Sequence, residues 1–141
     1  MLIEKKTYPF HRVCGEYISN EVLNFLKRER LYPDFLELPQ ISQFEFSDTM
    51  GKTVQLPLDL GGFGISRFIL DNWLAEQAKK EGVEVRTGTQ VSSADFDQGS
   101  NSFSLILSDH SVIKADFVIG AFGKRSKLDK VLERPFINKR S

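Results

Sequence analysis

The sequence predicts a mixed α/β (α+β) fold, and three stretches carry that expectation. In "SRFILDNWLAEQAKKEG", Ser66 supplies an N-cap, Leu70, Trp73, Leu74 and Ala78 recur at helical spacing, two lysines occupy the last turn and Gly82 closes it. In "ISQFEFSD" and "KTVQLPLDL", on either side of "TMG", apolar and polar residues alternate. Ile41, Phe44 and Phe46 then face Val54, Leu56 and Leu58 in an antiparallel hairpin with one buried face. Finally, "VEVRTGTQVSSADFD", "SFSLILSD" and "SVIKADFVIGAFG" make a strand-rich segment with "DHS" as a turn.

The remaining elements follow in chain order. Residues 2–4 read as the end of a strand, and the next fifteen, with Pro9, Gly15 and mixed polarity, read as a loop. A helix over 20–31 comes next. Ser19 caps it, Glu21 meets the positive end of its dipole, and Val22, Leu23, Leu26 and Leu31 fall near one face. No internal repeat and no linker rich in Gly, Pro or Ser divides the chain, so residues 1–141 are expected to form a single domain.

Composition narrows the function class. A domain of 141 residues buries roughly 70% of the surface its unfolded chain exposes, enough for its own core. Nineteen basic and nineteen acidic residues give a formal charge of zero, which argues against an electrostatic grip on nucleic acid or anionic lipid. The end, "KRSKLDKVLERPFINKRS", is locally basic, but no aromatic platform accompanies it, so a solvated segment is the simpler reading. A single cysteine, Cys14, excludes an internal disulfide, and two histidines make no zinc cluster. No apolar run approaches the ~18 residues of a membrane helix, "MLIEKK" lacks the pattern of a signal peptide, and the cytoplasm is the expected compartment.

Four places can carry chemistry, each beside a plain structural alternative. Glu4 is an acid at the end of an apolar strand, the position from which a dinucleotide fold accepts hydrogen bonds from an adenosine ribose; it also reads as a surface glutamate. In "RVCGE", Gly15 after Cys14 allows close backbone approach to a ligand that Arg12 and Glu16 anchor, or the loop is a turn with two solvated charges. A nucleophilic Cys14 needs a base, and His11 lies three positions away in a loop. Arg67 opens a helix after "GGFGIS", where a helix N-terminus and a guanidinium suit an anion, or the glycines merely shape a turn. In "VIGAFGKRS", the apolar run 117–119 ends at Gly120 and Gly123, where backbone can lie against a flat ligand or a pyrophosphate, with Lys124 and Arg125 beyond.

In this order the pieces resemble the FAD-dependent oxidoreductases of the geranylgeranyl reductase and aromatic hydroxylase (PHBH-like) superfamily, whose FAD domain is glutathione-reductase-like. "LIEKK" resembles the end of the family's second strand, with Glu4 as its ribose-binding acid and Lys5 beside it. "RVCGE" resembles the loop over the flavin, implicating Arg12, Cys14, Gly15 and Glu16. "SRFILDNWLAEQAKKEGVEVRTGTQV" resembles the arginine-led helix that puts Arg67 near the cofactor, followed by an adenine-contacting segment around Val91. "ADFVIGAFGKRSKLD" resembles the signature A-D-x-V-I-G-A-D-G-x-x-S, implicating Gly120 and Gly123; Phe122 stands where the family has aspartate, so only backbone contacts carry over.

The resemblance implies a partial FAD-binding domain with a substrate-side hairpin inserted at about 36–65. It implies FAD as cofactor, NAD(P)H as a possible reductant, and either reduction or hydroxylation of a small hydrophobic substrate, with no nucleic-acid partner. The family begins with a strand and a G-x-G-x-x-G helix and continues past a second cofactor motif, so the chain is expected to be truncated at both ends. A non-catalytic remnant that no longer holds FAD is the alternative. The family's first strand lies between those matching residues 2–4 and 117–119, and its loss is expected to leave two strand edges that pair between copies or meet directly. A nicotinamide-only dinucleotide fold is disfavoured, since the hairpin has no place in a simple doubly wound sheet.

Overall fold

The computed structural model describes residues 1–123. In chain order its elements are β1 (Leu2–Glu4), β2 (Tyr17–Ser19), a 3-10 turn (Asn20–Val22), α1 (Leu23–Arg28), β3 (Gln40–Ser47), β4 (Thr53–Gly64), α2 (Arg67–Lys80), β5 (Val85–Thr87), β6 (Val91–Asp97), β7 (Ser102–Leu107) and β8 (Val112–Ala115). This is the mixed α/β class expected, with antiparallel hairpins. The chain divides into two compact units. Among the described residues, one comprises Met1–Leu2 and Lys6–Val85, the other Ile3–Lys5 and the residues from Arg86 to Gly123.

The first unit is built on a three-stranded antiparallel sheet in the order β2-β4-β3. Its core sits where β4 runs into α2. Phe63, Ile65 and Leu70 are buried there, and Ile18, Leu23, Leu26, Tyr32, Leu36, Leu38 and Leu74 pack around them. α2 begins as the sequence predicts, with Ser66 Oγ accepting from the Ile69 N–H at 3.3 Å, and Gly82 adopts a left-handed φ of 80° just past its end. Its buried residues are Leu70 and Ala75, whereas Ala78 is only partly covered. Trp73 is held from the side, its indole N–H donating to the Leu31 carbonyl at 2.8 Å.

Two expectations about residues 5–31 are corrected. Residues 5–19 are not wholly loop, because Tyr17–Ser19 pairs with Gly62–Gly64 as β2. Glycine makes this possible: a Cβ on Gly62 would stand 2.3 Å from the Tyr17 ring and 2.5 Å from the Ile18 carbonyl oxygen. The "GGFG" run is thus strand packed under an aromatic ring rather than a turn. The helix expected over 20–31 is also shorter. Ser19 caps it, its Oγ accepting from the Glu21 N–H at 3.2 Å, but the first turn is 3-10, α1 ends at Arg28, and Arg30 turns left-handed at φ 58°. Leu31 and Tyr32 then donate back to the Leu26 carbonyl, which lets the chain fold over toward the core.

The hairpin forms with Phe44 opposite Leu56 and Phe46 opposite Val54 as expected, whereas Ile41, beyond a bulge, lies opposite Gly62 and not Leu58. Asp48 closes its turn by accepting from the Met50 and Lys52 N–H groups, each at 2.9 Å. The face expected to be buried is exposed: Phe44, Phe46, Val54 and Leu56 each keep at least half of their surface. Alternation decides which side chains share a face, but the unit's core lies at the Phe63 end of β4, past the bulge between Ile41 and Gln43.

In the second unit β6, β7 and β8 form an antiparallel meander. Leu105 and Leu107 are buried, and Phe96 lies opposite Phe103 with ring centroids 4.9 Å apart. Ile3 and Glu4 belong here; the Glu4 carbonyl accepts from the Thr89 N–H at 3.2 Å, and β1 pairs with β5. A further correction concerns 117–119. Strand β8 ends at Ala115, and Phe117 and Ile119 stand 89% and 92% exposed in irregular backbone. An apolar stretch becomes a buried strand only when neighbours supply its ladder bonds, and no strand among the described residues pairs with it. Nor does it meet β1, so the direct-meeting expectation fails. Lys124, Arg125 and the rest of "KRSKLD" lie outside the described residues.

Candidate functional site

The first unit gathers one cluster of charge. Arg67, at the first position of α2, lies one helical turn before Asp71, so the two side chains meet on one face. The contact is bidentate, with Arg67 Nε to Asp71 Oδ1 at 2.6 Å and Nη2 to Oδ2 at 2.8 Å. Arg12, from the loop before β2, approaches the same carboxylate, its Nε 3.3 Å from Oδ2. The Asp71 side chain keeps only 10% of its surface, against 40% for Arg12 and 35% for Arg67.

The electrostatics follow from that geometry. The hydrogen bonds that Arg67 donates to Asp71 raise its guanidinium above the ordinary value; partial burial opposes this, and the Asp71 charge and the Cys14 side chain add to it. Cys14 is exposed and near enough to Arg67 to influence its charge, while Arg12 ties the loop "RVCGE" to the helix end through Asp71. Beside it a Cβ on Gly15 would meet nothing within 4 Å, leaving open space against the backbone. Glu16 adopts φ 57°, and its carbonyl accepts from the Ile65 N–H at 2.8 Å, tying the loop to the core edge.

Aromatic contacts brace the same loop. The Phe10 ring stacks on Tyr8 with centroids 5.3 Å apart and carries the Arg12 guanidinium 4.6 Å above it, while His11 stacks on Phe68 at 4.5 Å. His11 is therefore engaged with a ring of α2.

Arg12, Cys14 and Arg67 thus stand together, with Gly15 and Glu16 on the same loop. The other sequence-predicted residues lie in the second unit. Glu4 ends β1, with exposed Lys5 after it, and Val91 begins β6 opposite Leu107. A Cβ on Gly120 would fall 2.6 Å from the Phe122 ring, so the chain itself fills that space, whereas Gly123 has φ 74° and open space around it. Asp71 escaped the sequence reading, although an acid four residues after a helix-opening arginine is a readable ion-pair signal.

The donor set fits a phosphorylated cofactor. Two guanidinium groups converge on one carboxylate beside an open backbone at Gly15, donors of the kind that a pyrophosphate or a polarised ring edge takes. Among the described residues no group of His, Cys, Asp and Glu side chains has the arrangement of a metal site, and no helix is long and apolar enough to cross a membrane.

No protein-family model and no curated protein sequence matches the chain. Solved structures do. FqzB superimposes with a TM-score of 0.71 at 25% identity, over 89% of this chain and 30% of its own. CmlS, a flavin-dependent halogenase, gives 0.75 at 18% identity, over 93% of this chain and 26% of its own. The halogenase PltM, in complex with phloroglucinol and FAD, gives 0.69 at 19% identity, over 93% and 31%. The chain therefore has a fold shared with flavin-dependent enzymes and spans 26–31% of the length of these neighbours.

Proposed function

We propose that this chain is the cofactor-contacting part of an FAD-dependent oxidoreductase that acts on a small hydrophobic substrate. The observation that carries the reading is the pair of arginines fixed on Asp71 beside Cys14 and Gly15, in a fold shared with an FAD-bound halogenase. Arg12, Cys14, Gly15 and Glu16 would face the flavin side and Arg67 the central region of the cofactor. Glu4 would accept from the adenosine ribose with Lys5 beside it, Val91 would contact the adenine, and the backbone at Gly120 and Gly123 would pass close to the ligand. Bound FAD supplies hydride transfer or oxygen activation, with NAD(P)H as the reductant.

The chain's own residues do the positioning. Guanidinium groups held by a carboxylate meet an anion without first reorganising, which is the condition for strong electrostatic binding. The uncharged hairpin face of Phe44, Phe46, Val54 and Leu56 offers apolar surface for the substrate side. Reduction and hydroxylation both suit such a substrate, and a geranylgeranyl-reductase-like activity is one form of the first. The cytoplasm and self-association through strand edges complete the reading.

A second reading has its own support. Gly120, the backbone contact expected at the signature, is packed against Phe122, and 117–119 takes no strand partner among the described residues. Both favour a binding module or remnant that does not hold FAD. The visible spectrum separates the two: flavin bands that survive desalting after incubation with FAD support the enzyme reading, and protein that stays colourless refutes it.

A further inference from the structure

We infer that β3 is a docking edge, on which the same strand of a second copy of this chain pairs antiparallel about a two-fold axis at Phe44. The inference deepens the proposed self-association by naming its edge, and rests on the proposed function for nothing else.

β3 is the outer strand of the sheet β2-β4-β3, and among the described residues no strand lies beyond it. The hairpin's own bonding fixes which backbone groups face outward. Asp48 donates to the Lys52 carbonyl at 3.0 Å. Alternation in an antiparallel ladder then turns Phe46 and Phe44 toward β4, and the N–H and C=O groups of Gln43, Glu45 and Ser47 away from it. Pro57, opposite Gln43, fits that phase, because a residue without an N–H is tolerated where the amide position faces away from β3.

The same proline guards the other side of the hairpin. β2 covers only Gly62–Gly64 of β4, and Pro57 removes a donor from the stretch that β2 leaves open. β3 has no such device. From Gln40 to Ser47 it holds neither proline nor lysine, and Glu45 is its one charge.

A second copy complements this edge. With Phe44 on the axis, Gln43 of one copy stands opposite Glu45 of the other, an amide donor against a carboxylate, and no like charges meet. Phe44 faces its counterpart in a closely spaced pair and Phe46 lies on the diagonal; both rings keep half or more of their surface in the single chain. The formal charge of the chain is zero, so two copies approach without net repulsion.

Sedimentation equilibrium of the whole chain over a concentration series is expected to show monomer and dimer in exchange. Glu45→Pro removes an outward donor from β3 and leaves its ladder to β4, and is expected to raise the dissociation midpoint about tenfold or more. Gln55→Pro, directly across the hairpin, removes the matching donor on the far edge and the same Gln55 to Glu45 hydrogen bond. It is expected to leave the midpoint unchanged. A wild-type chain that stays monomeric overturns the inference and the proposed self-association together. A dimer that Glu45→Pro leaves intact overturns the inference alone.

Circular dichroism checks the folds, and should Glu45→Pro not fold, cross-linking in Cys14→Ser protein decides. Phe44→Cys is expected to form a disulfide between copies under copper phenanthroline, since Cα atoms at such a pair stand about 4.5 Å apart. Leu56→Cys, its neighbour on β4, is expected to form none. Equal cross-linking of the two, or none at Phe44→Cys, overturns the inference.

Discussion

Arg67 grips Asp71 with two parallel hydrogen bonds of 2.6 and 2.8 Å across one turn of α2, and this pair joins the loop "RVCGE" to the helix that opens beside it. A charge-assisted, bidentate contact is worth more than an ordinary surface ion pair because its geometry is fixed at both ends.

Arg67→Leu removes that grip together with the cation expected to meet the cofactor. Affinity for FAD, followed by flavin fluorescence, is expected to fall roughly tenfold or more, the scale of one charge-assisted hydrogen bond. A variant that binds as wild type would remove Arg67 from the site.

Gly62 is packed under the Tyr17 ring. Gly62→Ala forces a methyl group against the ring and the Ile18 carbonyl, and is expected to cost about 2–4 kcal/mol in urea unfolding. Adding Tyr17→Ala should recover part of that loss, since the ring contributes the nearest collision. Additive losses in the double variant would show that ring and glycine do not interact.

Phe63 is buried at the centre of the first unit and makes an edge contact with Tyr32 at 5.3 Å. Phe63→Ala is expected to destabilise by about 3–5 kcal/mol. The comparison is Phe46→Ser on the exposed hairpin face, expected to change stability by no more than about 0.5 kcal/mol. Calorimetry of the two variants reads the contrast.

Asp97 closes the turn between β6 and β7. The Ser100 hydroxyl first, at 2.7 Å, then the Gly99 N–H at 2.9 Å and the Lys114 charge hold its carboxyl below the ordinary aspartate range. A carboxyl depressed in the folded state contributes stability above its unfolded value, and that contribution is lost as pH falls through the lower folded value. Ser100→Ala is expected to move the Asp97 titration up toward the ordinary range in carbon-detected NMR. An unmoved titration would show that the backbone donor alone sets it.

Much of the fold was legible in local chemistry. Ser66 and Gly82 bracket α2, Asp48 closes the hairpin, and the alternation of 41–47 against 53–58 specifies Phe44 opposite Leu56, because caps, turns and pleat depend on near neighbours in the chain. At the site, Arg12, Cys14 and Arg67 could be singled out by residue type. Their meeting on Asp71 could not, because a loop residue and a helix residue come together only when the intervening chain folds.

The sequence by itself determined the class of fold, the span of α2, the hairpin pairing and the residue types available for an anionic cofactor. Tertiary structure decided that Tyr17–Ser19 is strand rather than loop, that the hairpin's apolar face stands outside the core, and that 117–119 runs irregular and exposed. The physical reason is the same in each case. A short strand, a buried face and an apolar run take their final state from the partner chain that supplies hydrogen bonds and covers side chains, and no local pattern specifies where that partner will be.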